Sequence, residues 1–233
     1  MLPRVVLDTA EIPGSTETLR LIQRGSEFSI MLGAVELMNS RLSGSEEALA
    51  TLACAQLATR EAPAILIGGL GMGFTLRAAL AVLPHDAQVT VAELVPKVVE
   101  WASGPTAALH GESLSDRRTA IVLSDVATCI RTATSDYDAI LLDVDNGPDG
   151  LTATANDWLY SGAGLNAAKA ALRPGGVLAV WSAASDVRFA DRLRTAGFGF
   201  EEKVVKAHKG RSGLRNIIWL GIKPDCARLT LKY

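Results

Sequence analysis

The chain has 233 residues, 48% hydrophobic and 21% charged, which is enough apolar content for a sizeable core. At ~150 residues per domain this length predicts one full domain with a small appendage. Lys+Arg 23 against Asp+Glu 25 leaves a formal charge of −2, so the basic footprint of a non-specific nucleic-acid binder is absent and no nucleic-acid partner is expected. Cys54, Cys129 and Cys226 are odd in number and form no Cys-x-x-Cys pair. They read as small apolar residues in a reducing compartment, with neither a disulfide framework nor a metal site. Arg4 and Asp8 break up the N-terminus and no apolar run reaches ~18 residues, so a cytoplasmic protein without a membrane partner is expected.

Taken in chain order, residues 1–44 hold short, partly alternating segments at 19–24, 28–32 and 35–38, separated by Gly25, Ser26 and Gly33. These predict a small antiparallel region of two or three strands, too little to bury a core alone. An Ala- and Leu-rich run over 46–60, ending before Pro63, predicts a helix leading into a main domain over 45–233. From Pro63 onward, apolar runs at 65–69, 89–93, 120–124, 139–145 and 177–182 alternate with helical stretches at 74–83, 95–102, 125–132, 157–172 and 186–196. Runs apolar on both faces suit a parallel sheet covered by helices, and the alternation predicts a doubly wound, mostly parallel Rossmann-like α/β fold. Segments 200–207 and 214–222 have no helix between them and predict a closing antiparallel hairpin.

The turn Gly69-Leu-Gly-Met-Gly-Phe-Thr-Leu-Arg77 lies between the first main-domain strand and its helix, where missing side chains let a ligand approach backbone. Glu93 lies 20 residues after Gly73, at the end of the next strand, where its carboxylate could accept from both hydroxyls of a ribose. A dinucleotide fold wants a small residue at the sixth position from Gly69, and that position is Phe74. The spacing Gly69, Gly71, Gly73 instead favours a nucleoside sulfonium such as S-adenosylmethionine. Asp125 ends the third strand, where it could accept from an adenine amine while the Val126 amide donates to the ring; it could also cap the following helix, and the two uses are compatible. Asp143 and Asp145, spaced i, i+2 at the end of the fourth strand, would face one pocket at the carboxyl edge of the sheet and could take a proton from an acceptor. His85, His110 and His208 stand isolated without metal-ligand spacing and read as surface histidines. The four tryptophans read as core or rim packing.

In this motif order the stretch from about Ser43 to Lys223 resembles the spermidine synthases, polyamine aminopropyltransferases built on the class I methyltransferase fold with a small N-terminal β domain. The resemblance rests on the glycine turn, on Val91-Ala-Glu-Leu-Val-Pro-Lys-Val-Val99, on Tyr137-Asp-Ala-Ile-Leu-Leu-Asp143 and on Leu172-Arg-Pro-Gly-Gly-Val177. It implies a dimer, S-adenosylmethionine or its decarboxylated form as cofactor, and a small-molecule acceptor near Glu46, position 72 and Asn146. It also shows departures. The family's loop aspartate is Met72, its acidic and aromatic residues before the first helix are Arg41, Leu42 and Gly44, and its paired tyrosines fall near Gly164 and Leu165. A diamine stripped of water needs several buried anions. Sequence alone therefore puts methyl transfer slightly ahead of aminopropyl transfer, with a non-catalytic nucleoside-binding protein as the reading from another class.

Overall fold

The structure, a computed structural model, describes residues 2–144, 156–207, 213 and 215–225. Asp145, Asn146, His208 and Cys226 lie outside the described residues. At the N-terminus, β1 (Val5–Glu11), β2 (Thr18–Arg24), β3 (Glu27–Leu32) and β4 (Val35–Asn39) form an antiparallel meander in chain order. The prediction missed β1 because Val-Val-Leu-Asp-Thr-Ala-Glu alternates poorly: only Ala10 in it is buried, and a bulge between Val6 and Asp8 interrupts its pairing with β2.

The main sheet combines β5 (Ala64–Gly68), β6 (Gln88–Glu93), β7 (Thr119–Leu123), β8 (Tyr137–Leu142), β9 (Leu172–Ser182), β10 (Gly199–Lys206) and β11 (Arg215–Ile222). Its order is β10-β11-β9-β8-β5-β6-β7, parallel from β9 to β7, with β11 antiparallel between β9 and β10. The strand order reverses direction between β5 and β8, which puts the topological switch point at their carboxyl ends.

Each central strand is buried on both faces, as its unbroken apolar sequence requires. On one face Ile65, Ile67, Val91 and Leu141 pack under α1 (Gly44–Ala55), α2 (Phe74–Val82) and α3 (Pro96–Ser103). On the other, Leu66, Ala92, Ile140 and Leu142 pack under α5 (Val126–Thr132), α7 (Gly162–Ala171) and α8 (Val187–Thr195). Leu19, Leu21, Ile30 and Leu32 of the small sheet belong to the first of these cores, so this chain's own helices cover that apolar face. Trp101 of α3 donates its Nε1 hydrogen to Asp8 of β1 at 2.9 Å and ties the two units together. At the opposite end of the sheet from the switch point, Asp138 is 1% exposed and accepts from the Ala64 amide at 2.9 Å and from Arg173 at 2.6 Å, with Arg60 at 3.6 Å.

Three predicted elements differ in extent. The first helix ends at Ala55, not near Arg60. The single helix expected over 157–172 is two, α6 (Asp157–Tyr160) and α7, because Ser161 leaves helical geometry and caps α7 by accepting from the Gly164 amide. The fifth strand begins at Leu172, where Leu172-Arg-Pro-Gly-Gly is already extended. A short helix, α4 (Ala107–His110), was not predicted, and it carries the main correction to the histidines. His110 is fully buried, so it is no surface residue.

Candidate active site

Gly69, Gly71 and Gly73 all have positive φ, at +87°, +49° and +76°. At two of them the need for glycine comes from the protein's own packing. A Cβ at Gly69 would stand 2.9 Å from the carbonyl oxygen of Asp143, across the switch point and just past the end of β8. A Cβ at Gly73 would run into the His110 imidazole, which fills the space beneath the start of α2. Neither ring nitrogen of His110 has a partner among the described residues, and burial, aided by the charge of Arg77, holds its pKa down at about 4. The ring is therefore a neutral spacer under the turn.

Behind the turn, the 7%-exposed Glu93 accepts from the Leu70 amide at 2.9 Å and from the Val95 amide at 2.8 Å. Burial raises its pKa, against the backbone amides that favour the carboxylate. Glu93 thus fixes the turn in addition to any role toward a ribose. Asp125 caps α5, its Oδ1 accepting from the Ala127 amide at 2.8 Å, a use compatible with a contact to adenine. Val126 is buried, and its side chain lies 3.0 Å from where a Cβ at Gly68 would be.

A cavity of about 580 Å³ opens between the small sheet and the glycine turn. It brings together Glu46, Gly69, Gly71, Met72, Gly73 and Asp143 of the predicted residues, whereas Glu93, Asp125 and Val126 do not line it. Its apolar wall includes Leu19, Leu37, Met38, Phe74 and Trp181. The charged side chains among its described lining residues are Glu17, Glu46 and Asp143, all acids. Burial, and then the field of Glu46, push the Asp143 carboxyl up to about 7, while a hydrogen bond from Thr75 to Oδ2 at 2.5 Å pulls the other way. Burial also raises Glu46, whose carboxylate accepts from the Ser45 hydroxyl at 2.7 Å. A half-buried acid held near neutrality beside a second carboxylate can bind a cation and exchange a proton.

Packing accounts for two departures from the family pattern. At Gly44 a Cβ would stand 2.7 Å from the Lys206 carbonyl oxygen, so the helix start has no room for an acidic or aromatic side chain. At Gly164 a Cβ would collide with the Trp158 carbonyl, which excludes a tyrosine there. Sequence reasoning missed Thr75, Glu17 and Trp181. Thr75 is one of many polar residues in first helical turns, Glu17 sits in a hairpin far away in sequence, and Trp181 carried only a packing signal.

No protein-family model matches the chain, and no curated protein matches it. Among solved structures, a spermidine synthase in complex with the transition-state analogue AdoDATO matches with a TM-score of 0.72 and 16% identity, covering 94% of this chain and 73% of that one. The spermidine synthase from Thermotoga maritima gives 0.75 and 17% over 94% and 73% of the two chains. A probable spermidine synthase from Corynebacterium glutamicum gives 0.61 and 18% over 94% and 80%. The chain therefore has the fold of the spermidine synthases, a Rossmann-like methyltransferase-type domain with a small N-terminal sheet. Among the described residues no helix is long and apolar enough to cross a membrane.

Proposed function

We propose that the cavity binds a nucleoside sulfonium and transfers the aminopropyl group of decarboxylated S-adenosylmethionine to a small amine. The observation that carries this reading is the charge of the cavity, which Glu17, Glu46 and Asp143 line together with the glycine turn. The arm of the decarboxylated donor ends in an ammonium group alone, which these acids attract. The arm of S-adenosylmethionine also bears a carboxylate, which they repel. Met72 in the glycine turn favours methyl transfer on sequence grounds. The acids in place, and the spermidine synthases that share the fold, favour aminopropyl transfer.

In this reading Gly69, Gly71 and Gly73 admit the nucleoside from the cavity, and its ribose and adenine extend past the cavity's present lining toward Glu93 and toward Asp125 with Val126. The acceptor nitrogen attacks the propyl carbon bonded to sulfur. The carbon–sulfur bond breaks with its electron pair going to sulfur, which leaves neutral 5′-methylthioadenosine. The nitrogen loses a proton, and Asp143 takes it. Most of the acceleration comes from holding nitrogen, carbon and sulfur in line.

Calorimetry with decarboxylated S-adenosylmethionine, S-adenosylmethionine and NAD tests the reading. The decarboxylated ligand should bind tighter than S-adenosylmethionine by about tenfold or more, since one repelled carboxylate is worth at least ~1.4 kcal/mol. Binding of NAD alone would overturn it, and tight binding without turnover over a broad amine panel would make the chain a nucleoside-binding protein.

A further inference from the structure

Thr75 is the second residue of α2 and is 3% exposed. Its hydroxyl has one hydrogen and two acceptors nearby, Asp143 Oδ2 at 2.5 Å and the Glu46 carbonyl oxygen at 3.5 Å. The shorter contact lies in the range of an O–H donating to an ionised carboxylate, so the hydrogen belongs to Asp143. Among the described residues no other side chain or amide donates to this carboxylate, and Glu46 of α1 is the charged group that faces it.

We infer that Thr75 is a positioning residue that fixes the Asp143 carboxylate through Oδ2, leaving Oδ1 as the oxygen that receives the acceptor's proton. The inference rests on Asp143 as proton acceptor in the proposed reaction. Three elements meet here. The helix that starts at the glycine turn supplies the hydroxyl, the end of β8 supplies the acid, and the start of α1 supplies the second carboxylate. Fixing one carboxylate oxygen to the first turn of α2 couples the acid's orientation to the segment expected to hold the donor. The same hydrogen bond favours the ionised acid, which burial and Glu46 disfavour. Without it, Asp143 would turn freely and stay protonated at neutral pH.

The test follows Asp143 by carboxyl ¹³C NMR in the ligand-free protein, alongside affinity for decarboxylated S-adenosylmethionine. Thr75→Val keeps the shape and removes the hydroxyl. The Asp143 titration should move up by about one unit, the weight of a charge-assisted hydrogen bond, which lowers its ionised fraction at pH 7 about fivefold. Donor affinity should fall by no more than it does in Asp143→Asn, because Thr75 acts through the acid. Thr75→Ala, which removes the hydroxyl without adding a methyl group, should show the same shift. Thr75→Ser should restore the wild-type titration. An unmoved titration in Thr75→Val or Thr75→Ala, or a shift that Thr75→Ser fails to reverse, would overturn the inference. The underlying reading fails separately. If Asp143→Asn leaves methylthioadenosine release unchanged, Asp143 is not the proton acceptor, while a titration that follows the Thr75 hydroxyl still establishes the contact.

Discussion

Replacing Gly73 by alanine perturbs both features that shape the turn. Its φ of +76° costs an L-residue about 1–2 kcal/mol. The new methyl group also meets the His110 ring, which is fully buried and has nowhere to retreat. Overpacking of that kind costs about 1–3 kcal/mol, so the sum is roughly 2–5 kcal/mol. At about 2–4 °C per kcal/mol for a chain of this size, Tm should fall by around 10 °C. Urea denaturation of the single variants and of the double variant Gly73→Ala/His110→Ala separates the two contributions. With the ring removed, the alanine should cost only the backbone share, about 1–2 kcal/mol relative to His110→Ala alone. A Gly73→Ala protein within 0.5 kcal/mol of wild type, or an equal cost in both backgrounds, would refute the role given to His110.

Asp143→Asn keeps the shape and removes the proton acceptor, so kcat should fall by roughly 10²-fold while donor affinity, by calorimetry, falls far less, because Glu17 and Glu46 still attract its ammonium group. Wild-type kcat should rise with pH through about 7, as Asp143 ionises. Because burial raises this acid above its unfolded value, its contribution to stability is present below about pH 4 and lost as pH rises through 7; chemical denaturation across that window should show a slope that Asp143→Asn lacks. Asp138→Asn weakens the links to Arg173, Arg60 and the Ala64 amide and should cost about 2 kcal/mol by urea denaturation without changing donor affinity, since it lies at the far end of the sheet. The edge strand β1 exposes Val5, Val6 and Leu7, so light scattering at micromolar concentration should give a dimer; a monomer would count against covering that edge with a second copy.

The main-domain strands were legible because Ile65, Leu66 and Ile67, or Ile140, Leu141 and Leu142, are apolar on consecutive positions, as a short strand covered on both faces requires. Strand β1 was hidden because it buries little. The break at Ser161 was hidden because the apolar residues on either side keep helical spacing. At the site, Gly69, Gly73 and Asp143 were legible from type and position. The reason for the glycines was not, since it depends on contacts with Asp143 and with His110 that are distant in sequence. For the same reason Thr75 gave no signal, because its partner lies 68 residues away. Asp125 shows the converse: its local use as a helix cap follows from residue type and position alone.

The most direct measurement incubates the purified protein with decarboxylated S-adenosylmethionine or S-adenosylmethionine and a panel of small amines, and identifies the nucleoside released by mass spectrometry. The account predicts 5′-methylthioadenosine, formed from the decarboxylated donor only when an amine is present, with the amine gaining an aminopropyl group. S-adenosylhomocysteine formed from S-adenosylmethionine, with a methylated acceptor and no aminopropylated amine, would contradict it.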